Sequence, residues 1–228
     1  MLGLFVTGTD TEIGKTHVTC MIAQSMQRQG LRAGAYKPAC SGLADDHPSD
    51  IDRLASALAE DHPPVQICPQ SFQAPVAPAE AARLEGKVVD NKLLRDGTLA
   101  WKGCCDILLV EGAGGWLSPI SDQNTVADVA VDLGFPVIIV AANRLGTINH
   151  TLLTIESVRA RNLPLAGVIM NYLSEQEDSS AAHNAELIQK HGHVEILASV
   201  HFQPSSALPE RDPFATIDWL ELAQPTCM

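Results

Sequence analysis

The sequence has 228 residues, of which 46% are hydrophobic, and its formal net charge is -12 because 27 acidic side chains outnumber 15 basic ones. Such an acidic chain argues against nucleic acid or an anionic membrane as a main partner. No apolar run reaches the roughly 20 residues that a membrane-spanning helix needs, and the first residues lack the pattern of a secretory signal. The six cysteines form no Cys-x-x-Cys motif, so we expect a cytoplasmic protein with reduced thiols.

Short apolar strands alternate with helical patterns along the chain, which is typical of βαβ units with a parallel sheet. A proline-rich segment, residues 61–78, is predicted to be a loop. No repeat or linker divides the sequence, so we predict an α/β fold with a doubly wound, mostly parallel sheet in one domain, residues 1–228. The predicted strands are 4–6, 33–36, 106–111, 136–140, 165–170 and 194–197, and the clearest predicted helices are 15–29, 147–162 and 180–191.

The stretch Gly8-Thr-Asp-Thr-Glu-Ile-Gly-Lys-Thr16 lies between the first strand and the first helix. It differs from the phosphate-loop pattern G-x-x-x-x-G-K-[ST] by one extra residue between the two glycines. The strand–loop–helix context is still the one in which backbone N–H groups and a helix N-terminus bind phosphate. We therefore predict a P-loop NTPase-like fold with a deviant phosphate loop, in which Lys15 contacts the β and γ phosphates and Thr16 binds Mg²⁺.

Two charged side chains stand at the ends of other predicted strands. Glu111 precedes Gly-Ala-Gly-Gly, and a carboxylate beside a phosphate loop is suited to bind Mg²⁺. Lys37 precedes Ser41-Gly42, and a second lysine opposite the loop indicates that negative charge develops between the nucleotide and another reactant. Either residue taken alone could simply be a solvated strand end. Because ligands bind beyond the carboxyl ends of strands in open α/β sheets, we expect both to join the phosphate loop in one site.

The sequence resembles the dethiobiotin synthetase family of biotin biosynthesis in five blocks, FVTGTDTEIGKT, YKPACSG, VEGAGGW, RLGTINHTLLT and VIMNY, which occur in this order. The blocks cover roughly residues 2–175, and the first and third are the most specific. The resemblance implies a homodimeric ligase that uses ATP, Mg²⁺ and CO₂ or bicarbonate to close a cyclic urea on 7,8-diaminopelargonic acid. In that family the diamine forms a carbamate, ATP phosphorylates it, and the second amine displaces phosphate from the mixed anhydride.

The resemblance also implies roles for individual residues. Lys37 and Lys15 are the catalytic lysines. The nucleotide contacts are Glu12, Ile13, Gly14, Lys15, Thr16, His17, Glu111, Gly112, Ala113, Gly114 and Asn171. The Mg²⁺ ligands are Thr16, Asp50 and Glu111, with Asp52 as the alternative to Asp50. The diamine contacts are Thr11, Ser41 and, from across the dimer interface, Gly146, Thr147 and Asn149.

This sequence departs from the family pattern at two places. Thr147 stands where a cysteine is usual, although a helix N-terminus offers its N–H groups whatever the side chain. The family's Gly-Glu-Ile-Pro stretch near the adenine is replaced by Ala198-Ser199-Val200-His201. Adenine contacts beyond Asn171 and the preference for ATP over other nucleotides therefore both stay open.

The carboxylates in the phosphate loop need a separate explanation, since phosphate alone would not favour them. We predict that Thr11 and Glu12 form the outer edge of the loop and face the amines of the second substrate. For Asp10, a side chain bonded to its own backbone in a turn is at least as good an interpretation as contact with substrate.

The leading alternative from another functional class is a deviant-loop ATPase switch of the partition or septum-positioning kind. Those proteins have the pattern K-G-G-x-G-K-T in this loop, and here Asp10 takes the place of the first lysine. A related ligase with a glutaminase domain would need a longer chain. A non-catalytic nucleotide-binding module would have no use for Lys37 and Ser41, so the sequence favours the synthetase.

Overall fold

The computed structural model describes residues 1–43, 49–175, 181–202 and 212–224. The strands in this part of the chain are β1 (Leu2–Gly8), β2 (Ala33–Tyr36), β3 (Ile107–Glu111), β4 (Val137–Ala142), β5 (Leu165–Asn171) and β6 (Ile196–Val200). The helices are α1 (Lys15–Arg28), α2 (Asp50–Ser56), α3 (Pro64–Ile67), α4 (Pro78–Leu84), α5 (Leu93–Asp96), α6 (Val126–Leu133), α7 (Thr147–Arg159), α8 (Ala181–Gly192) and α9 (Trp219–Leu222), with a 3₁₀ helix at Gly97–Trp101.

The strands form a parallel sheet in the order β2-β3-β1-β4-β5-β6. In this register Val6 of β1 lies opposite Glu111 of β3, and Tyr36 of β2 lies opposite Val110. The carboxyl ends of β2, β3 and β1 are therefore neighbours at one edge of the sheet. This order brings Lys37, Glu111 and the phosphate loop together, although the three are far apart in sequence.

Both faces of the sheet are covered by helices, because successive side chains of a strand point to opposite sides. Leu108 and Val110 of β3 pack into a core with side chains of α6, α7 and α8. Ile107 and Leu109 pack into a second core with α1 and α9. Burial on both faces explains why β3 is apolar at every position before Glu111. The arrangement confirms the predicted doubly wound α/β fold.

The prediction of a loop at residues 61–78 was wrong in one detail, since this segment contains the short helix α3 and the first residue of α4. Pro64 and Pro78 each occupy a first-turn position of a helix. A first-turn N–H has no intrahelical acceptor, so a proline there loses no hydrogen bond and its fixed φ suits the helix. The predicted helices agree with α1, α7 and α8 to within about three residues at each end, apart from Ser180, which lies outside the described residues.

Among the described residues, we find no helix that combines the length and apolar character needed to cross a bilayer. The cysteines of this part of the chain are all free thiols, namely Cys20, Cys40, Cys68, Cys104 and Cys105. Cys227 lies outside the described residues.

Candidate functional site

The phosphate loop leads from β1 into α1 through a glycine in the left-handed conformation. Gly14, at the N-cap of α1, has a φ of 84° and provides no side-chain cap. The side-chain amide of Asn171 donates to the backbone oxygen of Ile13 at 2.8 Å, which ties the loop to the end of β5. The N–H groups of the first turn of α1 are thus free of side-chain caps and suited to bind an anion.

Gly14→Ala is expected to weaken ATP binding roughly tenfold, which corresponds to about 1.4 kcal/mol. A Cβ atom at Gly14 would lie 2.2 Å from Nδ2 of Asn171 and would break its bond to the loop. Gly30→Ala is the matched control, because Gly30 has a similar φ of 81° but no heavy atom within 4 Å of the position that a Cβ atom would take. Calorimetric titration with ATP should show near-normal affinity for the Gly30 variant. Equal affinities in the two variants would contradict a role for the Gly14–Asn171 contact in nucleotide binding.

Lys15 crosses the loop instead of pointing into solvent. Its Nζ donates to the backbone oxygen of Asp10 at 2.8 Å, and the residue is 7% exposed. Burial lowers the pKa of Lys15, and the nearby carboxylate of Glu111 acts in the opposite direction. The Asp10 carboxylate accepts from the N–H of Thr11 at 2.8 Å and lies 3.6 Å from the Arg144 guanidinium. Asp10 therefore stabilises the turn, which agrees with the interpretation of its side chain as bonded to nearby backbone.

Glu111 is the centre of a buried charge cluster at the end of β3. Its Oε1 accepts from the Thr16 hydroxyl at 2.7 Å and from the Lys37 ammonium at 2.9 Å. The Lys37 ammonium also pairs with the carboxylate of Asp50, at the start of α2. Lys37 is 5% exposed and Glu111 is 1% exposed, so the residues predicted to hold phosphate, metal and substrate converge in a water-poor site.

The pKa shifts in this cluster follow from burial and from the neighbouring charges. Burial lowers the pKa of Lys37, but the carboxylates of Glu111 and Asp50 more than offset this effect, so that the pKa is raised overall. Burial raises the pKa of Asp50, and the Lys37 ammonium outweighs it, so that the pKa is lowered. Both partners are consequently charged at neutral pH, and Lys37 is a fixed positive charge rather than a base.

The cluster also has the donor set that a hard cation requires. The Oε2 atom of Glu111 is buried and has no hydrogen-bond partner among the described residues. An unpaired buried carboxylate oxygen is costly, and a cation would satisfy it. The hydroxyl of Thr16 and the carboxylate of Asp50 supply further oxygens nearby. The described part of the chain contains no group of three or more His, Cys, Asp or Glu side chains that could hold a metal, so a cation here would need additional oxygen ligands such as phosphates and water.

A cleft of about 650 Å³ opens over this cluster and contains most of the predicted site. The predicted residues that line it are Thr11, Glu12, Gly14, Lys15, Thr16, His17, Lys37, Ser41, Asp50, Glu111, Gly112, Ala113 and Gly114. The sequence analysis missed eight others, namely Cys40, Gly42, Arg53, Pro75, Val76, Ala77, Pro78 and Ser118. Cys40 and Gly42 lie in the block YKPACSG that carries the resemblance, whereas the prolines near residue 75 indicate a loop rather than a site.

The segment at residues 75–78 forms one wall of the cleft. The hydroxyl of Ser41 donates to the backbone oxygen of Val76 at 2.5 Å, and the N–H of Gly42 donates to that of Ala74 at 3.0 Å. These bonds join the segment that follows β2 to the wall. They hold Ser41 in the lining of the cleft, which Thr11 and Glu12 also line.

Asp52, the alternative metal ligand, has a different structural role from Asp50. It forms a capping box with Ser49 at the start of α2, and it does not line the cleft. Since its carboxylate already accepts from the N–H and the hydroxyl of Ser49, the geometry favours Asp50 as the ligand.

The remaining predicted contacts lie outside this cleft. Ile13 and Asn171 are buried behind the loop and bond to each other. Gly146, Thr147 and Asn149 lie at the start of α7, where Gly146 is the N-cap with a φ of 90° and no side-chain cap is present. Asn149 is exposed. The start of α7 thus resembles that of α1 in its left-handed glycine and the lack of a side-chain cap, although the N–H of Thr147 donates to the backbone oxygen of Arg144 at 3.1 Å. None of these three residues lines this chain's own cleft.

The stretch that replaces the family's adenine-binding motif runs along β6. His201, just after β6, stacks on Tyr172, just after β5, with ring centroids 4.4 Å apart and an interplanar angle of 24°. This aromatic pair follows Asn171 at the same edge of the sheet. The roles assigned to Asn171 and to the α7 residues stay predictions.

A model of a family described as an AAA domain matches residues 2–210. The chain is 46% identical over 202 residues to the ATP-dependent dethiobiotin synthetase BioD of Anaeromyxobacter sp. (strain Fw109-5), a match that covers 88% of this chain and 91% of that protein. It is 40% identical over 200 residues to the ATP-dependent dethiobiotin synthetase BioD of Bacillus subtilis (strain 168), with 86% of each chain covered.

Among solved structures, the chain is similar to the MinC:MinD cell division protein complex of Aquifex aeolicus. The TM-score is 0.55 with 15% sequence identity, and the match covers 90% of this chain and 83% of the other. At this identity the likeness shows the fold alone, which agrees with the predicted P-loop NTPase-like architecture. It does not favour the alternative of an ATPase switch, because Asp10 occupies the place of the lysine that such a switch requires.

Proposed function

The chain belongs to the family of ATP-dependent dethiobiotin synthetases, and we propose that the cleft between the phosphate loop and the segment after β2 is its active site. Its activity is ATP-dependent synthesis of dethiobiotin. One observation carries the assignment of the site: Thr16, Lys37 and Asp50 converge with Glu111 at the base of one cleft. This brings groups for phosphate, metal and substrate within bonding distance of one another.

On the nucleotide side, the phosphate loop and the first turn of α1 bind the phosphates through backbone N–H groups and the Lys15 ammonium. Thr16, Asp50 and Glu111 would hold Mg²⁺, which supplies positive charge beside the phosphates when it is bound. The support for this ligand set is the unpartnered, buried Oε2 atom of Glu111 next to two further oxygen donors.

On the substrate side, Thr11, Glu12 and Ser41 line the same cleft and suit a diamine, because hydroxyls and a carboxylate accept from ammonium or amine groups. Lys37 provides a fixed positive charge for the anionic reactants. One amine adds to CO₂ and gives a carbamate, and a carbamate oxygen then takes the γ-phosphoryl group as the bond to ADP breaks. The second amine attacks the carbonyl carbon, and the C–O bond to phosphate breaks as the ring closes. Lys37 stabilises the negative charge on the carbamate and on the transferring phosphoryl group.

One assay tests the reaction as a whole. The protein is incubated with ATP, Mg²⁺, ¹³C-bicarbonate and the diamine, and the product is analysed by mass spectrometry. Dethiobiotin that carries the ¹³C label, formed together with ADP and phosphate, is the expected result. ATP hydrolysis without labelled product would contradict the synthetase assignment and favour a nucleotide-driven switch.

We propose further that the protein is a homodimer whose sites are shared between two chains. The start of α7 has no side-chain cap, so the N–H groups of Ile148 and Asn149 suit the carboxylate of the diamine, and it does not line the cleft of its own chain. Leu117 and Leu153 line a second cleft of about 470 Å³ that meets the first at Ser118. These two leucines and Leu145 are 54%, 57% and 79% exposed, an apolar surface suited to a second copy of the chain.

Mixing two inactive variants is expected to restore activity if the sites are shared. Lys37→Ala removes the charge at the reacting centre, and Asn149→Trp blocks the carboxylate contact at the start of α7. In a mixed dimer, one composite site combines the two intact halves and the other carries both defects. Activity should recover to at most about a quarter of wild type, assuming free exchange of chains and independent sites.

The control mixes Lys37→Ala with Lys37→Met, a pair that cannot form an intact composite site. Native mass spectrometry establishes that heterodimers are present, and circular dichroism establishes that each variant is folded. Heterodimers that stay as inactive as the control would show that each chain carries a complete site of its own.

The remaining parts of the proposal concern the chain as a whole. We propose that residues 1–228 form one synthetase domain, which is supported by the two cores that share a single sheet. We also propose a cytoplasmic location, since the described cysteines are free and the substrates are metabolites of the cell interior. Fractionation of cells that produce the native protein tests the location directly.

A further inference from the structure

Two free thiols are in contact beside the cleft, where Cys40 is a lining residue and Cys68 is not. The Sγ of Cys68 lies 3.4 Å from the Sγ of Cys40 and 3.3 Å from the backbone oxygen of Gln70, so both are partners of the Cys68 thiol. Cys40 is 3% exposed and Cys68 is 4% exposed. The thiols of the other neighbouring pair, Cys104 and Cys105, each donate to a backbone oxygen of the 3₁₀ helix.

Cys40 connects the thiol pair to the site itself. It lines the cleft and lies between Lys37 and Ser41 in sequence. Its N–H donates to the backbone oxygen of Gln70 at 2.9 Å, and its own oxygen accepts from the N–H of Phe72 at 3.0 Å. The N–H and the carbonyl of Cys40 therefore hydrogen-bond the segment that carries Lys37 and Ser41 to the segment that contains Cys68.

We propose that Cys40 and Cys68 form an oxidation site, at which a small peroxide reaching the cleft converts the two thiols into a disulfide and reversibly inhibits the enzyme. The modification itself does not depend on the reaction that the protein catalyses. Only the loss of synthesis rests on the proposed function of the cleft.

The chemistry requires one equivalent of hydrogen peroxide. The Cys40 sulfur attacks one peroxide oxygen, the O–O bond breaks, and water leaves after proton transfer, so that Cys40 becomes a sulfenic acid. The Cys68 sulfur then attacks the Cys40 sulfur, the S–O bond breaks, and a second water leaves as the disulfide forms. Two thiols are oxidised by two electrons, and the peroxide is reduced to two molecules of water.

Cys40 is the better placed of the two thiols to react first. It lines the cleft, whereas Cys68 lies behind it. The hydrogen bond from Cys68 lowers the pKa of Cys40 against the effect of burial, with further help from the Lys37 charge, and the same bond raises the pKa of Cys68. Thiolate character and access thus point to the same sulfur as the nucleophile.

Disulfide formation would displace the segment that carries Lys37, Cys40 and Ser41. The sulfur atoms would have to move about 1.4 Å closer than their present 3.4 Å, because an S–S bond is about 2.05 Å long. Cys40 is the part of the pair that belongs to the segment with Lys37 and Ser41. We expect this closure to shift the segment with Lys37, and a misplacement of about 1 Å at reacting groups can cost on the order of a hundredfold in rate.

The experiment treats the full-length protein with hydrogen peroxide, blocks the remaining thiols, and digests it with trypsin. Cleavage after Arg32, Arg53 and Arg83 places Cys40 in the peptide 33–53 and Cys68 in the peptide 54–83, since the Lys37–Pro38 bond resists trypsin. The expected product is the two peptides joined with a loss of about 2 Da, the mass of two hydrogen atoms. Dethiobiotin synthesis should fall by roughly tenfold or more and return after treatment with dithiothreitol.

Two variants complete the test. Cys68→Ser should be as active as wild type before oxidation, form no linked peptide, and resist peroxide. Cys68→Ala replaces it if the serine variant does not fold. Cys105→Ser, the matched change of a buried thiol outside the pair, should stay sensitive to peroxide. The proposal is overturned if no linked peptide forms, if the linked protein keeps full activity, or if Cys68→Ser loses activity to peroxide as wild type does.

Discussion

Lys37→Ala is expected to lower kcat about 10²–10³-fold while ATP still binds, the loss typical when one electrostatic donor is removed from a reacting centre. The Lys37 ammonium lies between the carboxylates of Glu111 and Asp50 and is nearly inaccessible to water. Its charge is therefore little screened, and solvent cannot replace it. Steady-state kinetics with the diamine, together with calorimetric titration of ATP, separates the loss of kcat from any loss of nucleotide binding.

The variant also has a structural consequence that the kinetics alone would miss. Without Lys37, Glu111 is a buried carboxylate with no neighbouring ammonium within bonding distance among the described residues. Removing one partner of a buried pair destabilises a protein by about 3–5 kcal/mol, so the melting temperature should fall, and added Mg²⁺ should restore part of it.

Lys92→Ala is the matched control, because Lys92 pairs with Asp96 on the surface and its side chain is 83% exposed. That variant should keep wild-type kinetics and stability. If a folded Lys37→Ala protein turned over within tenfold of wild type, Lys37 would be only a structural partner of the two carboxylates.

Glu111→Gln is expected to raise the Mg²⁺ concentration for half-maximal activity on the order of 10–100-fold, the range seen when carboxylates that support a metal site are changed. The amide has nearly the same shape, so the packing at the end of β3 should persist. What is lost is one negative charge and one acceptor of a hard cation. The variant also weakens the acceptor that Thr16 and Lys37 now share.

Initial rates measured across a Mg²⁺ titration at saturating ATP give the Mg²⁺ concentration for half-maximal activity. Glu80→Gln is the control, since Glu80 is a surface acid that pairs with Arg83 on α4. A Glu111→Gln protein with the same Mg²⁺ dependence as wild type would exclude Glu111 from the metal site, whatever its effect on kcat.

Local patterns in the sequence were sufficient for the fold class and for most of its strands and helices. The strands β1 to β5 stand out because strands buried on both faces are apolar at nearly every position, and this pattern needs no knowledge of distant residues. The starts of α1 and α7 stand out because a glycine precedes each helix. The segment at residues 61–78 shows the limit of the same reasoning, because proline both breaks helices and opens them, and the composition does not distinguish the two roles.

The sequence by itself also determined the main features of the site. The phosphate loop and Lys37 follow apolar strands, Glu111 ends one, and parallel strands bring their carboxyl ends to one edge of the sheet. This rule holds whatever the strand order is. It predicted that the three would meet, but not which atoms would bond.

Only the tertiary structure decided the contacts between segments that have no pattern in common. The strand order β2-β3-β1 makes Lys37 a neighbour of Glu111, and the capping box at Ser49 occupies Asp52 while Asp50 turns to the cleft. The contact between Cys40 and Cys68 arises from pairing of their two segments. The physical reason is the same in each case: periodicity and capping are set by residues a few positions apart, whereas side-chain contacts depend on which distant segments pack together.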